Sequence, residues 1–267
     1  MFCVIRENPR ELFAIVDKSK KLMTMKLENR VCVVTGSNRG IGSAIAAHLS
    51  ANCGKVIVTY RKNKKAAERT AGLIGALGFF QLDISDESSV LDFRDRLLVE
   101  FGSIDVLVNN AGVNIPGSID ELDLSSWCKV IDVNLTGVFL VTKYLSQLLN
   151  ENGRIVNIGS LSGEYGGPRT PSYAAAKAGV MALTHNFARH FADRSITVNC
   201  VSPGVISSEL TDETMPNWLR EQILPTILLK RFGRISEVAP LVTFLASSEA
   251  SYITAQTFSV NGGAWVR

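Results

Sequence analysis

From Arg30 onward, short runs of β-branched apolar residues alternate with longer segments of helical period, and this rhythm limits the fold more than any other feature. "VCVVTG" reads as a buried strand, "IGSAIAAHLSAN" as a helix with Ile41, Ile45 and Leu49 on one face, and "KVIVTY" as the next strand. The alternation continues through a helix in "AAERTAGLIGAL", a strand in "FFQLDIS", a helix opening after Asp86 as its cap, and a strand in "IDVLVNNAG". A long helix over 124–150, a strand in "RIVNIGS", a helix over 171–193, a strand in "SITVNCVSPG", a short helix in "SEVAPLVTFLASS" and a last strand in "AQTFSVNGG" complete it. Strands with little polar alternation, each followed by a helix, imply an α/β fold with a doubly wound parallel sheet covered on both faces.

Such sheets bind ligands at the carboxyl ends of their strands. A chain of 267 residues with 46% hydrophobic and 20% charged residues suits one large domain, here placed at 25–267. The net charge of +3 is scattered, which argues against nucleic acid as a partner, and no apolar run is long enough for a membrane span. Five cysteines (Cys3, Cys32, Cys53, Cys128 and Cys200) form no C-x-x-C pair, so a reducing, cytoplasmic setting is expected. Residues 1–24 carry Glu7, Glu11 and Asp17 and lack the apolar core of a secretory signal. They read as a loosely attached helix or as sequence upstream of a start at Met23 or Met25. The stretch 206–233 falls outside the rhythm; with Pro216, Pro225, Trp218, Leu219, Ile223, Leu224 and Leu228 it reads as a lid over a pocket.

After the first strand, "TGSNRGIG" carries Gly36, Ser37, Asn38, Arg39, Gly40, Ile41 and Gly42 straight into a helix. Glycines let the backbone turn tightly and approach a pyrophosphate, which the helix amides then hold. The spacing is G-x-x-x-G-x-G, and its place after strand one of an α/β chain favours dinucleotide binding over a plain turn. At the end of the second strand, where an NAD site would present an acid, this chain has Tyr60 and Arg61. Arg61 together with Arg39 suits a ribose 2′-phosphate, which predicts NADPH as the cofactor. Lys62, Lys64 and Lys65 read as a solvated helix start.

In "PSYAAAKAG", Tyr173 and Lys177 stand one helical turn apart, about 6 Å along the axis. An ammonium at that distance lowers a phenol pKa by roughly 1 to 3 units from about 10. Ser160 ends the strand "RIVNIGS", Asn134 lies in the long helix, and "NNAG" (Asn109, Asn110, Ala111, Gly112) closes the fourth strand with small residues. Pro203 and Gly204 follow the sixth strand. Tyr165 is either a pocket or a loop aromatic, and His185 and His190 read as packing or surface residues. Three histidines without clustered partners give no metal site. No G-x-S-x-G elbow surrounds Ser160, which disfavours a hydrolase.

These residues and their order resemble the short-chain dehydrogenase/reductase family over residues 28–267. The resemblance implies a Rossmann-like domain and a mechanism: Tyr173 protonates a carbonyl oxygen as hydride leaves the nicotinamide, and Ser160 holds that oxygen. Lys177 depresses the tyrosine pKa and grips the nicotinamide ribose, while Asn134 seats a water. It also implies cofactor contacts from Asp83 and Ile84 beside the adenine, Asn110 near the ribose and Ile206 at the carboxamide.

Within the family, "NLTGVFLVTK", "GRIVNIGS", "SYAAAKAGV" and "ITVNCVSPG" are similar to the 3-oxoacyl-acyl-carrier-protein reductases of fatty acid synthesis, which implies a carrier-bound substrate and a homotetramer. Arg194 matches one docking position of that group, whereas Glu151 replaces the basic residue of the other. Losing that charge weakens attraction to an acidic partner. Ala255 and Asn261 replace a usual glycine and aspartate near the last strand. The alternatives are a reductase of a free small carbonyl, such as a coenzyme A thioester, sugar or secondary alcohol, and a non-catalytic dinucleotide-binding scaffold. The complete Asn, Ser, Tyr and Lys set disfavours the last.

Overall fold

In the computed structural model, Leu27 and residues 29–266 are described; the expectations for residues 1–24, Cys3 among them, lie outside the described residues. The parallel strands are β1 (Val31–Val34), β2 (Lys55–Tyr60), β3 (Gly78–Gln81), β4 (Ile104–Asn109), β5 (Leu149–Ile158), β6 (Thr197–Pro203) and β9 (Thr257–Val260). They form one sheet in the order β3-β2-β1-β4-β5-β6-β9, with every neighbouring pair parallel. A separate parallel pair joins β7 (Ile206–Ser207) to β8 (Gly233–Arg234).

Side chains along each strand divide between two apolar layers because successive residues face opposite sides. Val33, Ile57, Leu107 and Ile155 join the layer beneath α3 (Glu87–Phe101) and α7 (Pro171–His190), where Phe93, Leu97 and Phe187 pack. Cys32, Val34, Val56, Val108 and Val156 face α1 (Gly40–Ala51) and α10 (Ile235–Ala246), meeting Ile45, Leu49, Val238 and Val242. Both faces are therefore dry, which is why the strands lack polar alternation. A smaller cluster seats α2 (Lys64–Ile74) through Ala67 and Ala71.

The expected Asp86 cap is present, its side chain accepting from Ser88 N at 3.0 Å. Helix α2 stops at Ile74, earlier than the expected Leu77, because Gly75 takes the left-handed conformation. The helix expected over 124–150 is interrupted. It runs as α4 (Leu124–Ile131), a π turn (Asp132–Thr136) and α5 (Gly137–Leu145), and Leu149 already belongs to β5, which the single turn α6 (Ser162–Tyr165) follows. Leu124–Leu145 is long and apolar enough to cross a membrane, yet Val130, Val133, Val138, Val141 and Leu145 are buried in the protein. Its apolar stripe is used in the core. The segment 206–233 contains β7, α8 (Glu209–Thr214), α9 (Asn217–Ile223) and a short turn, Leu224–Thr226, and is tied back by β8.

Candidate active site

Strand order reverses between β1 and β4, and a cleft of about 490 Å³ opens at the carboxyl ends of the strands there. The glycine turn forms its floor. Gly40 has φ +58°, and a Cβ built on it meets nothing within 4 Å, so its backbone faces open space. Gly42 is the opposite case: a Cβ there would stand 2.4 Å from Asn110 Nδ2 and 2.5 Å from Gly36 O. Asn110 braces the turn by donating to Thr35 O at 2.9 Å and Gly36 O at 3.2 Å. Such a cradle, open above glycine and rigid beneath it, fits a pyrophosphate.

Gly36, Asn38, Arg39, Gly40, Ile41 and Gly42 line this cleft together with Arg61, Asp83, Ile84, Asn110, Ala111 and Gly112. Tyr173, Lys177, Pro203, Gly204 and Ile206 line it as well. Ser37 does not. Its fully buried hydroxyl donates to Val34 O at 2.8 Å and accepts from Thr59 N at 3.1 Å, so the side chain joins two strands instead of facing a ligand. Lys62, Lys64 and Lys65 are all exposed, as expected of a solvated helix start, and Lys62 also lines the cleft beside Arg61. Arg39 is engaged across the cleft, its Nη1 lying 2.9 Å from Glu213 Oε1 and 3.2 Å from Glu209 Oε2.

At the other end Ser160 follows β5 and hydrogen-bonds the Tyr173 phenol. Lys177 is 3% exposed, donates to Ile158 O at 2.7 Å and places Nζ 5.6 Å from the centre of the Tyr173 ring. A buried polar chain holds α7 in register two turns further on. Asn157 Nδ2 donates to Thr184 Oγ1 at 2.9 Å, and Asn109 Nδ2 donates to Asn157 Oδ1 at 2.8 Å and to Thr142 Oγ1 at 3.0 Å.

One expectation is revised here, and the place of Asn134 is defined. Burial pushes the Tyr173 phenol above its ordinary value, with the Ser160 hydrogen bond pulling the other way. The same burial brings Lys177 down from 10.5 to about 8. Removing two polar groups from water outweighs the attraction expected of an ammonium directed at a backbone carbonyl. Asn134 lies in the π turn, fully buried, with Nδ2 donating to Val113 O and Val130 O, each at 2.8 Å, and Oδ1 accepting from Val113 N at 3.3 Å. Its side chain is thus occupied with backbone partners and does not line the cleft.

A second cavity, of about 480 Å³, adjoins the cleft and shares Ser160, Tyr173, Gly204, Leu210 and Thr211 with it. Met215, Trp218, Leu219 and Ile223 from the 206–233 segment form an apolar wall. Tyr165 lines this cavity and stacks on Trp265 with ring centres 5.6 Å apart. Sequence reading missed Asn114, Arg169 and Thr170 in this cavity, and Glu209 in the cleft, because they sit in loops and a short helix that no periodicity marks.

A family model described as Enoyl-(Acyl carrier protein) reductase matches residues 36–264. The 3-oxoacyl-[acyl-carrier-protein] reductase FabG of Staphylococcus aureus (strain Mu50 / ATCC 700699) is 42% identical over 240 residues, spanning 88% of this chain and 97% of its own. The 3-oxoacyl-[acyl-carrier-protein] reductase of Synechocystis sp. is 43% identical over 244 residues, spanning 89% and 97%. Among solved structures, a mutant of a Serratia marcescens short-chain dehydrogenase/reductase superposes with a TM-score of 0.84 at 32% identity, covering 89% of this chain and 98% of that one. A doubly wound sheet, a glycine cradle at its switch point and this breadth of likeness together place the chain in the short-chain dehydrogenase/reductase family, oxidoreductases that act on CH–OH and C=O groups with a nicotinamide dinucleotide.

Proposed function

We propose that this protein is an NADPH-dependent reductase that converts a 3-oxoacyl thioester to the 3-hydroxyacyl thioester, with Tyr173 as proton donor. The observation that carries this reading is that Ser160 and Tyr173 line both the glycine-floored cleft and the apolar-walled cavity. A dinucleotide in the first and an acyl thioester in the second would meet at these two hydroxyls. The cofactor supplies the hydride. Tyr173 gives its proton to the carbonyl oxygen, and the Ser160 hydroxyl holds that oxygen and offers charge stabilisation as it becomes alkoxide-like. The raised phenol pKa keeps the donor protonated at neutral pH, which is the state a reduction requires. Lys177, charged below about pH 8, balances the developing phenolate and returns the proton. Asn134 is a positioning residue that ties the π turn to the loop after β4. The segment 206–233 acts as the lid over the acyl cavity.

Arg61 and Lys62, on the adenosine rim with Arg39, support NADPH. The relatives named 3-oxoacyl-[acyl-carrier-protein] reductase support a carrier-bound substrate. One observation favours a coenzyme A thioester instead: Arg194 is already paired with Glu151 at 3.2 Å and bonded to Ser146 O at 3.0 Å and Leu149 O, so the docking position presents a compensated charge. We also read the chain as a homotetramer in the cytoplasm. The described cysteines, Cys32, Cys53, Cys128 and Cys200, are all unpaired, and the edge strand β9 is free for a second copy among the described residues.

The test is turnover of 3-oxoacyl groups on carrier protein, on coenzyme A and as plain ketones, with both nicotinamides. Carrier or coenzyme A thioesters with NADPH should be preferred. Tyr173→Phe should lose about 10³-fold or more in kcat with NADPH affinity retained. Near-normal turnover by that variant overturns the role of Tyr173, and a preference for plain ketones overturns the thioester assignment.

A further inference from the structure

The adenosine rim of the cleft is less positive than its arginines suggest. Glu209 and Glu213 stand one turn apart on α8 and converge on the same guanidinium nitrogen, Arg39 Nη1. The three side chains together carry a net charge of −1. Arg39 and Glu209 both line the cleft, and Arg61 across the rim has no ion pair among the described residues. All three partners in the Arg39 cluster are about half exposed, with side-chain exposures of 48%, 61% and 56%. Exposed pairs of this kind are individually weak, whereas a phosphate dianion matches a guanidinium bidentately.

We propose that Glu209 and Glu213 are specificity-determining residues: they compete with a ribose 2′-phosphate for Arg39 and thereby set how strongly the protein discriminates between phosphorylated and unphosphorylated dinucleotides. This rests on the NADPH reading above. In the free protein the acids occupy the guanidinium. A 2′-phosphate takes their place, so part of the attraction it gains is offset by the ion pairs it breaks and by repulsion from the released carboxylates. An unphosphorylated ribose breaks nothing. The competition reaches the acyl cavity as well, because α8 also contributes Leu210, Thr211 and Thr214 to its wall.

The test is calorimetric binding of 2′,5′-ADP and of 5′-AMP to the full chain, its Glu209→Gln/Glu213→Gln variant, Arg39→Ala and the triple variant. Both glutamine changes are isosteric and exposed, and circular dichroism checks that the fold is kept. At low ionic strength the double glutamine variant should bind 2′,5′-ADP about 5- to 30-fold more tightly, with 5′-AMP moving less than about twofold. In the Arg39→Ala background the same pair of changes should bring less than about a twofold gain. The proposal is overturned if 2′,5′-ADP does not tighten, if 5′-AMP tightens equally, or if the gain survives undiminished without Arg39. The cofactor reading fails separately. A wild-type protein that binds NADH as tightly as NADPH refutes that reading, while a phosphate preference appearing only in the double glutamine variant still supports the competition.

Discussion

At the reacting end of the cleft, Tyr173 and Lys177 are positioned by buried bonds: Ser160 to the phenol, Lys177 to Ile158 O, and the chain Asn109–Asn157–Thr184 beneath the same helix. At the adenosine end, Arg39 is positioned by half-exposed ion pairs to a short helix in the segment 206–233. The two ends differ in dielectric, and so in what perturbs them. Buried groups shift their pKa and tolerate salt, whereas exposed pairs are screened within about 10 Å at 0.1 M salt. Chemistry needs the first kind of support because a small displacement is costly in rate, and ligand exchange suits the second.

The largest way to break this contrast is Lys177→Met, which removes the ammonium and leaves Ile158 O without its donor. It should lower kcat by about 10²-fold or more, measured at saturating cofactor. A loss confined to KM would move Lys177 from the reacting end to the binding side.

The pH dependence sharpens the same end. Lys177 titrates near 8 in the folded protein against 10.5 ordinarily, so between about pH 8 and 10.5 the unfolded chain holds the extra proton. This contribution to stability therefore rises with pH across that window, while turnover falls as the ammonium is lost. Denaturant titrations and kcat/KM profiles should show opposite slopes between about pH 8 and 9, below the range where the buried Cys32 and Cys200 thiols, held above their ordinary value, begin to oppose it, and Lys177→Met should flatten the stability slope there.

At the adenosine end, Arg61→Ala should reduce the preference for NADPH over NADH by about tenfold, and raising ionic strength should reproduce part of that loss. An unchanged preference would remove Arg61 from the site. For a docking surface outside the cleft, Glu151→Gln frees Arg194 from its partner and should raise kcat/KM for a carrier-protein substrate by about two- to fivefold at low salt, leaving coenzyme A thioesters unaffected.

The smallest expected effect lies away from both ends. Ala255 adopts φ +58°, a left-handed conformation that disfavours a side chain, at the position where the resembled group carries glycine. Ala255→Gly should stabilise the fold by about 0.5–1 kcal/mol, or roughly 2–3 °C in Tm by calorimetry, without changing kinetics.

Much of the site was legible in the sequence because its residues sit where periodicity changes. The glycine turn ends β1, Arg61 follows β2, Asn110 follows β4 and Ser160 follows β5, and parallel α/β architecture brings all these ends to one edge. The i, i+4 spacing of Tyr173 and Lys177 placed both on one helix face for a similarly local reason. Where the reading went astray, the missing information was three-dimensional. Ser37 stands between two exposed-seeming neighbours yet turns its hydroxyl inward to Val34 O and Thr59 N.

Taken alone, the sequence determined the α/β order, the dinucleotide cradle and the identity of the polar groups at the strand ends, since each follows from local period, backbone freedom and residue chemistry. Only the tertiary structure decided their electrostatic state. Burial of Tyr173 and Lys177 reversed the expected direction of the phenol shift, and the approach of α8 to the glycine turn gave Arg39 two carboxylate partners from 170 and 174 residues away along the chain. Desolvation and charge pairing depend on distance through space, and a linear pattern carries that distance only within a helix turn or between paired strands.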